Sequence, residues 1–313
     1  MLIGHVTDIH EDLEALATAL DFFSAKEVNF VACTGDLLLE PYSIDGWKAY
    51  LETGSRLTFR EHVFDRAKKI YGEFKGLFDS CTIPYAVIAG NYDTTNLEEV
   101  FGDRYIHQKI LEFQGLRFGG FGGGSPQPSY NLRVIEMNAG LMPSRRVIQE
   151  FNQGYLYSFL IEHKPDVFLC HNPAKGILDC TLFGEHWGSD AFRSYIDRTC
   201  SLESTAVKTC LVGHVHESGP LGNNPRHAEG MYRQGYTVTS NAGNLGRFTF
   251  FEKETMQPEQ GYEKGKIGWG TFAILMLDAQ GKTTKVSQYI LRGEDPKNVG
   301  NVQLYAEYAV NDP

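Results

Sequence analysis

The sequence predicts an α/β fold in which helices cover the faces of a sheet and functional side chains gather at the carboxyl ends of its strands. Two observations carry this. Short apolar runs of strand length recur, each running into an Asp, Asn or His. Between them, apolar residues repeat three and four apart, the spacing of helices that pack one face on a sheet. With 313 residues, 42% of them hydrophobic, and no long flexible linker, the chain can bury a sizeable core as one large domain.

In chain order, Met1 to Val6 is the first apolar run and leads into Asp8-Ile9-His10. On a strand, residues two apart leave the same face, so Asp8 and His10 would aim an oxygen and a nitrogen at one point. Taken alone, such a pair reads first as a buried, hydrogen-bonded couple. Leu13, Leu16, Ala17, Leu20 and Phe23 mark a helix, and residues 29–35 a second strand running into Asp36. Val63, Phe64, Ala67, Ile70, Tyr71, Phe74, Leu77 and Phe78 mark a longer helix, and residues 84–90 a strand leading into Asn91. The glycines at 119–124 read as a glycine-rich strand end or close backbone packing, because no Gly-Lys-Ser/Thr ending follows to make a phosphate loop. Ile148, Phe151, Tyr155 and Phe159 suggest a helix after Pro143-Ser144. Residues 166–170 lead into His171, Ser189 is placed to cap a helix containing Phe192, Tyr195 and Ile196, and residues 209–213 lead into His214-Val215-His216. Phe272 to Leu277, a turn at 278–281 and Thr283 to Leu291 read as a closing hairpin.

Asp, Asn and His arriving together from five strand ends make a mixed oxygen and nitrogen site, suited to manganese, iron, nickel, cobalt or zinc rather than to structural zinc, which prefers cysteine. The ordered set Asp8-Ile9-His10, Gly35-Asp36, Gly90-Asn91, His171 and Gly213-His214-Val215-His216 resembles the calcineurin-like metallophosphoesterases. That resemblance implies a four-layer α/β/β/α sandwich of two mixed sheets flanked by helices. It also implies two divalent metal ions bridged by Asp36, with Asp8, His10 and His216 completing one and Asn91, His171 and His214 the other. A hydroxide bridging such a pair would attack phosphorus in line, so that no protein nucleophile is needed. Asp36, Asn91 and His171 are then catalytic as well as ligands.

Two departures from the family pattern stand out. Many members have a His after the Gly-Asn pair to assist the leaving group, whereas this chain has Tyr92 followed by Asp93. Tyr92 is a candidate catalytic residue, with a packing role beside the cleft as its alternative. Relatives lacking that His are often diesterases or pyrophosphatases. Relatives also place a second Asp three residues after the first; here Leu39 stands there, with Glu40 one step late.

The expected domain spans residues 1–292, with loop insertions near 172–187, 217–234 and 252–269 that would shape substrate choice, and a polar tail over 293–313 that packs on the body, binds a second subunit or is loose. The run through His186, and that around 213–219, resembles the branch containing cyclic-nucleotide and nucleoside phosphodiesterases; individually, His186, Arg226 and His227 read as solvated loop residues. Asn241 either buttresses the site or serves a turn. The net charge of −10 and the absence of a long basic run argue against nucleic acid as a partner and leave a small phosphorylated substrate. Six cysteines without a Cys-x-x-Cys pair, no apolar run approaching about 18 residues and no leader pattern suggest a cytoplasmic protein away from membranes. The expected activity is hydrolysis of a phosphodiester, with nucleotide-related diesters among the candidates; a phosphomonoesterase, a nuclease and a non-catalytic metal-stabilised scaffold are the alternatives.

Overall fold

The computed structural model describes residues 1–39, 48, 52–124, 148–181, 184–220, 230–247, 270–291 and 302–311. Glu40, Pro143-Ser144, Arg226, His227 and the 252–269 insertion lie outside these. Among the described residues the chain forms two six-stranded mixed sheets. Strands β1 (Leu2–Val6), β2 (Phe30–Cys33) and β3 (Tyr85–Val87) run parallel in the first sheet. β10 (Gly270–Leu277), β11 (Thr283–Leu291) and β12 (Val302–Ala309) extend it antiparallel beyond β1. In the second sheet β5 (Leu116–Phe121), β6 (Val167–Cys170), β7 (Thr209–Val212) and β9 (Thr237–Asn241) run parallel, with β4 (Ile110–Phe113) and β8 (Met231–Gln234) on its edges. The polar tail thus contributes β12, which pairs with β11 rather than standing off the body.

Period-two alternation sorts the strand residues into layers. Ile3, Phe30, Ala32, Ala86 and Ile88 of the first sheet face Phe118, Val167, Leu169 and Leu211 of the second, forming a core between the sheets. Val6, Val31, Cys33 and Val87 point the other way, onto Leu16, Leu20 and Phe23 of α1 (Leu13–Ala25) and Ala67, Tyr71, Phe74 and Phe78 of α2 (Arg56–Ser80). A short α3 (Leu97–Phe101) follows β3. Phe168, Cys170, Cys210 and Val212 meet Leu156, Phe159 and Leu160 of α4 (Gln153–His163) and Phe192, Tyr195 and Ile196 of α5 (Asp190–Thr199). The result is the α/β/β/α order of layers.

Caps explain where the helices begin. Asp12 accepts from Ala15 N at the start of α1, and Ser189 accepts from Phe192 N at the start of α5. α4 begins later than the apolar spacing predicts, because Asn152 caps it by accepting from Tyr155 N. Ile148 and Phe151 therefore precede the helix, and Tyr155 is exposed rather than in the core.

Candidate metal centre

Seven side chains meet at the seam between the two sheets: Asp8, His10, Asp36 and Asn91 follow β1, β2 and β3, while His171, His214 and His216 follow β6 and β7. The convergence of Asp8 and His10 does not come from strand alternation, as the sequence suggested. β1 ends at Val6, and Asp8, His10, Asp36 and His214 all adopt left-handed backbone conformations (φ 51°, 48°, 51° and 68°). Such conformations are uncommon outside glycine, with Asp and His among the types that adopt them most readily, and they persist where the surroundings over-determine them. Here the loop after β1 is laced to the loop after β2: Asp8 N donates to Gly35 O, Ile9 N and His10 N to Asp36 O, and Glu11 N to Leu37 O.

Each ring is turned by a bond on its far side. His10 Nδ1 lies 3.0 Å from Leu38 O and His171 Nδ1 2.8 Å from Thr34 O. A carbonyl can only accept, so both rings carry hydrogen on Nδ1 and leave Nε2 as the ligand atom, a common device in metal sites. His10 Nε2, His216 Nε2 and Asp8 Oδ1 then lie 2.9 to 3.8 Å apart. Donors bonded tetrahedrally at about 2.1 Å would stand about 3.4 Å apart. On the other side, His171 Nε2 is 3.4 Å from Asp36 Oδ2 and 2.9 Å from Asn91 Oδ1, which is 2.7 Å from His214 Nδ1. Asp8, His10 and His216 form one group able to hold a metal ion, and Asp8, Asp36 and His171 a second. By distance, Asp8 belongs to both and so shares the central place with Asp36.

The electrostatics are those of a centre that draws positive charge. Burial alone would lower the His171 pKa, but the Asp36 charge and hydrogen bond lift it to about 9. His214 goes the other way, to about 3, through burial and then the His171 charge. The Asp8 carboxyl is held low: burial pushes it up, and the His216 charge and hydrogen bond outweigh that. Two fully buried carboxylates with four histidines are costly without a cation between them. The donor set therefore fits a pair of divalent ions.

Tyr92 serves the site through its backbone, since its N–H donates to Asp36 Oδ1 at 2.8 Å. Its ring lies edge-on to His10 at 5.7 Å and packs on the first-sheet core. Asn241 fills both roles considered for it: Nδ2 donates to Val215 O at 3.0 Å, bracing the double-His loop, and Oδ1 accepts from Gly243 N. Sequence reasoning passed over Asp93. Its buried carboxylate accepts from the backbone of Leu37, Leu38 and Gly90 and from Tyr71 Oη, tying the Asp36 loop to the Asn91 loop. An acid two residues past Asn91, at the end of an apolar run, was the available signal. The 119–124 glycines permit close packing, as read: a Cβ on Gly124 would meet Asn91 Cβ at 2.7 Å and His214 Cε1 at 3.1 Å.

A double-sheet sandwich with adjoining Asp/His groups at the seam, each able to hold a metal ion, defines a candidate metal-binding α/β protein. The chain belongs to the calcineurin-like phosphoesterase family, which residues 1–218 match. Comparison with curated protein sequences gives no significant match. One solved structure is similar with a TM-score of 0.58 at 15% identity, over 88% of this chain and 94% of its own. The TT1561 protein of Thermus thermophilus has a TM-score of 0.51 at 15% identity, over 90% of this chain and 96% of its own. A dimetal phosphatase from Danio rerio has a TM-score of 0.51 at 11% identity, over 97% and 98%. At these identities the likeness is one of fold.

Proposed function

We propose that this protein is a metal-dependent phosphodiesterase acting on a small phosphorylated compound with a nucleotide-related diester. The observation that carries this reading is the meeting of Asp8, His10, Asp36, Asn91, His171, His214 and His216 at one seam, with two rings fixed to present Nε2. Asp36 would be shared by two ions, with Asp8, His10 and His216 completing one site and Asn91, His171 and His214 the other. When bound, such ions supply Lewis acidity to phosphate oxygens and bring the pKa of a water near neutrality. The chain's own part is to hold the ligands still. Thr7 Oγ1 and His214 N fix Asp8 Oδ2, while Tyr92 N fixes Asp36 Oδ1. The entering oxygen comes from water, and no side chain becomes attached to phosphorus.

The Gly-Asn pair supports a diester over a monoester, since Tyr92, set edge-on to His10, stands where a His would follow it. The net charge of −10 supports a small ligand over a nucleic acid. Six cysteines, none in a disulfide, support a reducing, cytoplasmic setting. Among the described residues no helix is long and apolar enough to cross a membrane. Manganese is the first ion to supply, because it accepts the oxygens of Asp8, Asp36 and Asn91, and zinc and nickel follow, because they suit the four imidazoles.

The test is hydrolysis of bis-p-nitrophenyl phosphate beside p-nitrophenyl phosphate by metal-stripped protein given manganese, zinc, nickel or magnesium in turn. Metal-dependent turnover favouring the diester is expected, with metal and activity lost together in Asp36→Ala. Preference for the monoester would replace this reading with a phosphatase, and turnover at the parent rate in Asp36→Ala would refute the centre.

A further inference from the structure

We infer that Asp179 and His186 form a dyad that protonates the leaving oxygen of the diester, the task for which position 92 offers no histidine. The inference rests on the phosphodiesterase reading above. Sequence reasoning placed His186 among solvated loop residues; its surroundings are more specific than that.

The segment after His171 leaves the end of β6 and returns to it, since Ala174 bridges Ser189, Ser189 N donates to Pro173 O and Lys175 N to Ser189 O. Two bonds fasten it beside the metal centre. Asn172 Nδ2, next to His171, reaches Trp187 O at 3.4 Å, and Ser218 Oγ, two residues past His216, donates to Cys180 O at 3.0 Å. The Trp187 ring stands 6.0 Å from that of His214, and its Nε1 donates to Glu185 Oε2. His186 is therefore carried on a braced loop flanking the metal ligands.

Asp179 is 1% exposed, and a carboxylate so placed is costly unless both oxygens are used. One accepts from Gly188 N at 3.0 Å and the other from His186 Nδ1 at 2.7 Å. Because Asp179 accepts, His186 carries a hydrogen on Nδ1 and its orientation is set. Its side chain is 44% exposed, and Nε2 has no hydrogen-bond partner among the described residues. A buried carboxylate holding Nδ1 while Nε2 faces solvent is the arrangement of a positioned proton carrier.

In the reaction, a water oxygen bonds to phosphorus as the bond from phosphorus to the leaving oxygen breaks, its electron pair passing to that oxygen. His186 Nε2–H gives its proton there, so an alcohol departs. The neutral ring, still held by Asp179, regains a proton from solvent while the water's proton is released.

The test compares bis-p-nitrophenyl phosphate with diphenyl phosphate, using metal-loaded parent, His186→Gln and Asp179→Asn proteins, with metal content measured in each. Nitrophenolate leaves unaided, whereas phenolate, whose acid has a pKa near 10 as in tyrosine, needs the proton. The ratio of kcat/KM for diphenyl phosphate over bis-p-nitrophenyl phosphate should fall about 100-fold in His186→Gln, with Asp179→Asn moving the same way. An unchanged ratio in His186→Gln, whatever happens to the absolute rates, overturns the dyad and leaves it a loop brace. A parent that hydrolyses only bis-p-nitrophenyl phosphate also overturns the dyad, while the phosphodiesterase reading survives. A parent that turns over neither ester overturns that reading, and the dyad with it.

Discussion

Gly213→Ala tests how tightly the seam is built. An alanine methyl there would lie 2.5 Å from Asp8 Oδ2 and closer still to Thr7 Oγ1. Real Cβ contacts essentially never fall under 3.0 Å, so Asp8 Oδ2 would have to retreat by at least 0.5 Å, the difference between 3.0 and 2.5. Rotating Thr7 away relieves one contact, forfeits its 2.6 Å bond to Asp8 Oδ2 and leaves the other contact in place. A retreating Asp8 also loses the 3.0 Å bond from His214 N, whose donor is then buried and unmatched. Overpacking of this kind costs about 1–3 kcal/mol and the orphaned donor about 1–3 kcal/mol more. In a chain of 313 residues a total of about 4 kcal/mol lowers Tm by about 6 °C. A ligand misplaced on this scale costs roughly 100-fold in turnover. Calorimetry would read both stability and manganese affinity. Gly76→Ala is the control, because nothing lies within 4 Å of its added Cβ and it sits exposed in α2, where alanine should stabilise by about 0.5–1 kcal/mol. Parent-like stability and metal affinity in Gly213→Ala would refute the packing argument.

Stripping metal with a chelator should lower Tm, and restoring the ion at about 100 times its Kd should recover about 2.7 kcal/mol, since the folded centre alone gathers the ligands; a chelator-insensitive Tm would argue against a metal centre. Asn241→Ala should cost about 3 kcal/mol and weaken metal binding without touching a ligand, because Val215 O and Gly243 N lose their buried partner; urea melts and metal titration check this. Burial lowers the His107 pKa to about 4, and its Nδ1 accepts from Gly122 N. The unfolded ring takes up a proton near pH 6.5 and the folded ring only near 4, so stability is lost as pH falls through this window. The loss from this residue is about 2 kcal/mol at pH 5. In His107→Gln the change in stability between about pH 7 and pH 5 should shrink by that amount; an identical pH dependence would show that the ring is not held neutral.

Much of the fold was legible locally. The stripes of α1 and α2 are the buried faces of those helices, Ser189 caps α5, and β10 and β11 form the closing hairpin where the turn at 278–281 placed it. The start of α4 was not, because Ile148 and Phe151 happen to extend its apolar spacing backwards while Asn152 sets its first turn. Within the site, the string Asp8-Ile9-His10 pointed to a ligand pair but for the wrong geometric reason. Left-handed turns are set by bonds to Gly35, Asp36 and Leu37, far along the chain, and no local spacing encodes them. Asp93 and the pairing of Asp179 with His186 were missed for a related reason: a single acid or histidine in a loop has no periodicity to betray its partner.

By itself, then, the sequence determined the alternation of strands and helices and the identity of the residue that follows each strand. Both are properties of a few adjacent residues, set by hydrophobic period and side-chain chemistry. Only the tertiary structure decided that the ligands come from two different sheets, that Asp8 lies close to both halves of the centre, and that a braced loop sets Trp187, next to His186, against His214. Strand order and loop docking arise from packing between residues far apart in the chain, where the energy depends on which surfaces meet and not on what stands next to what.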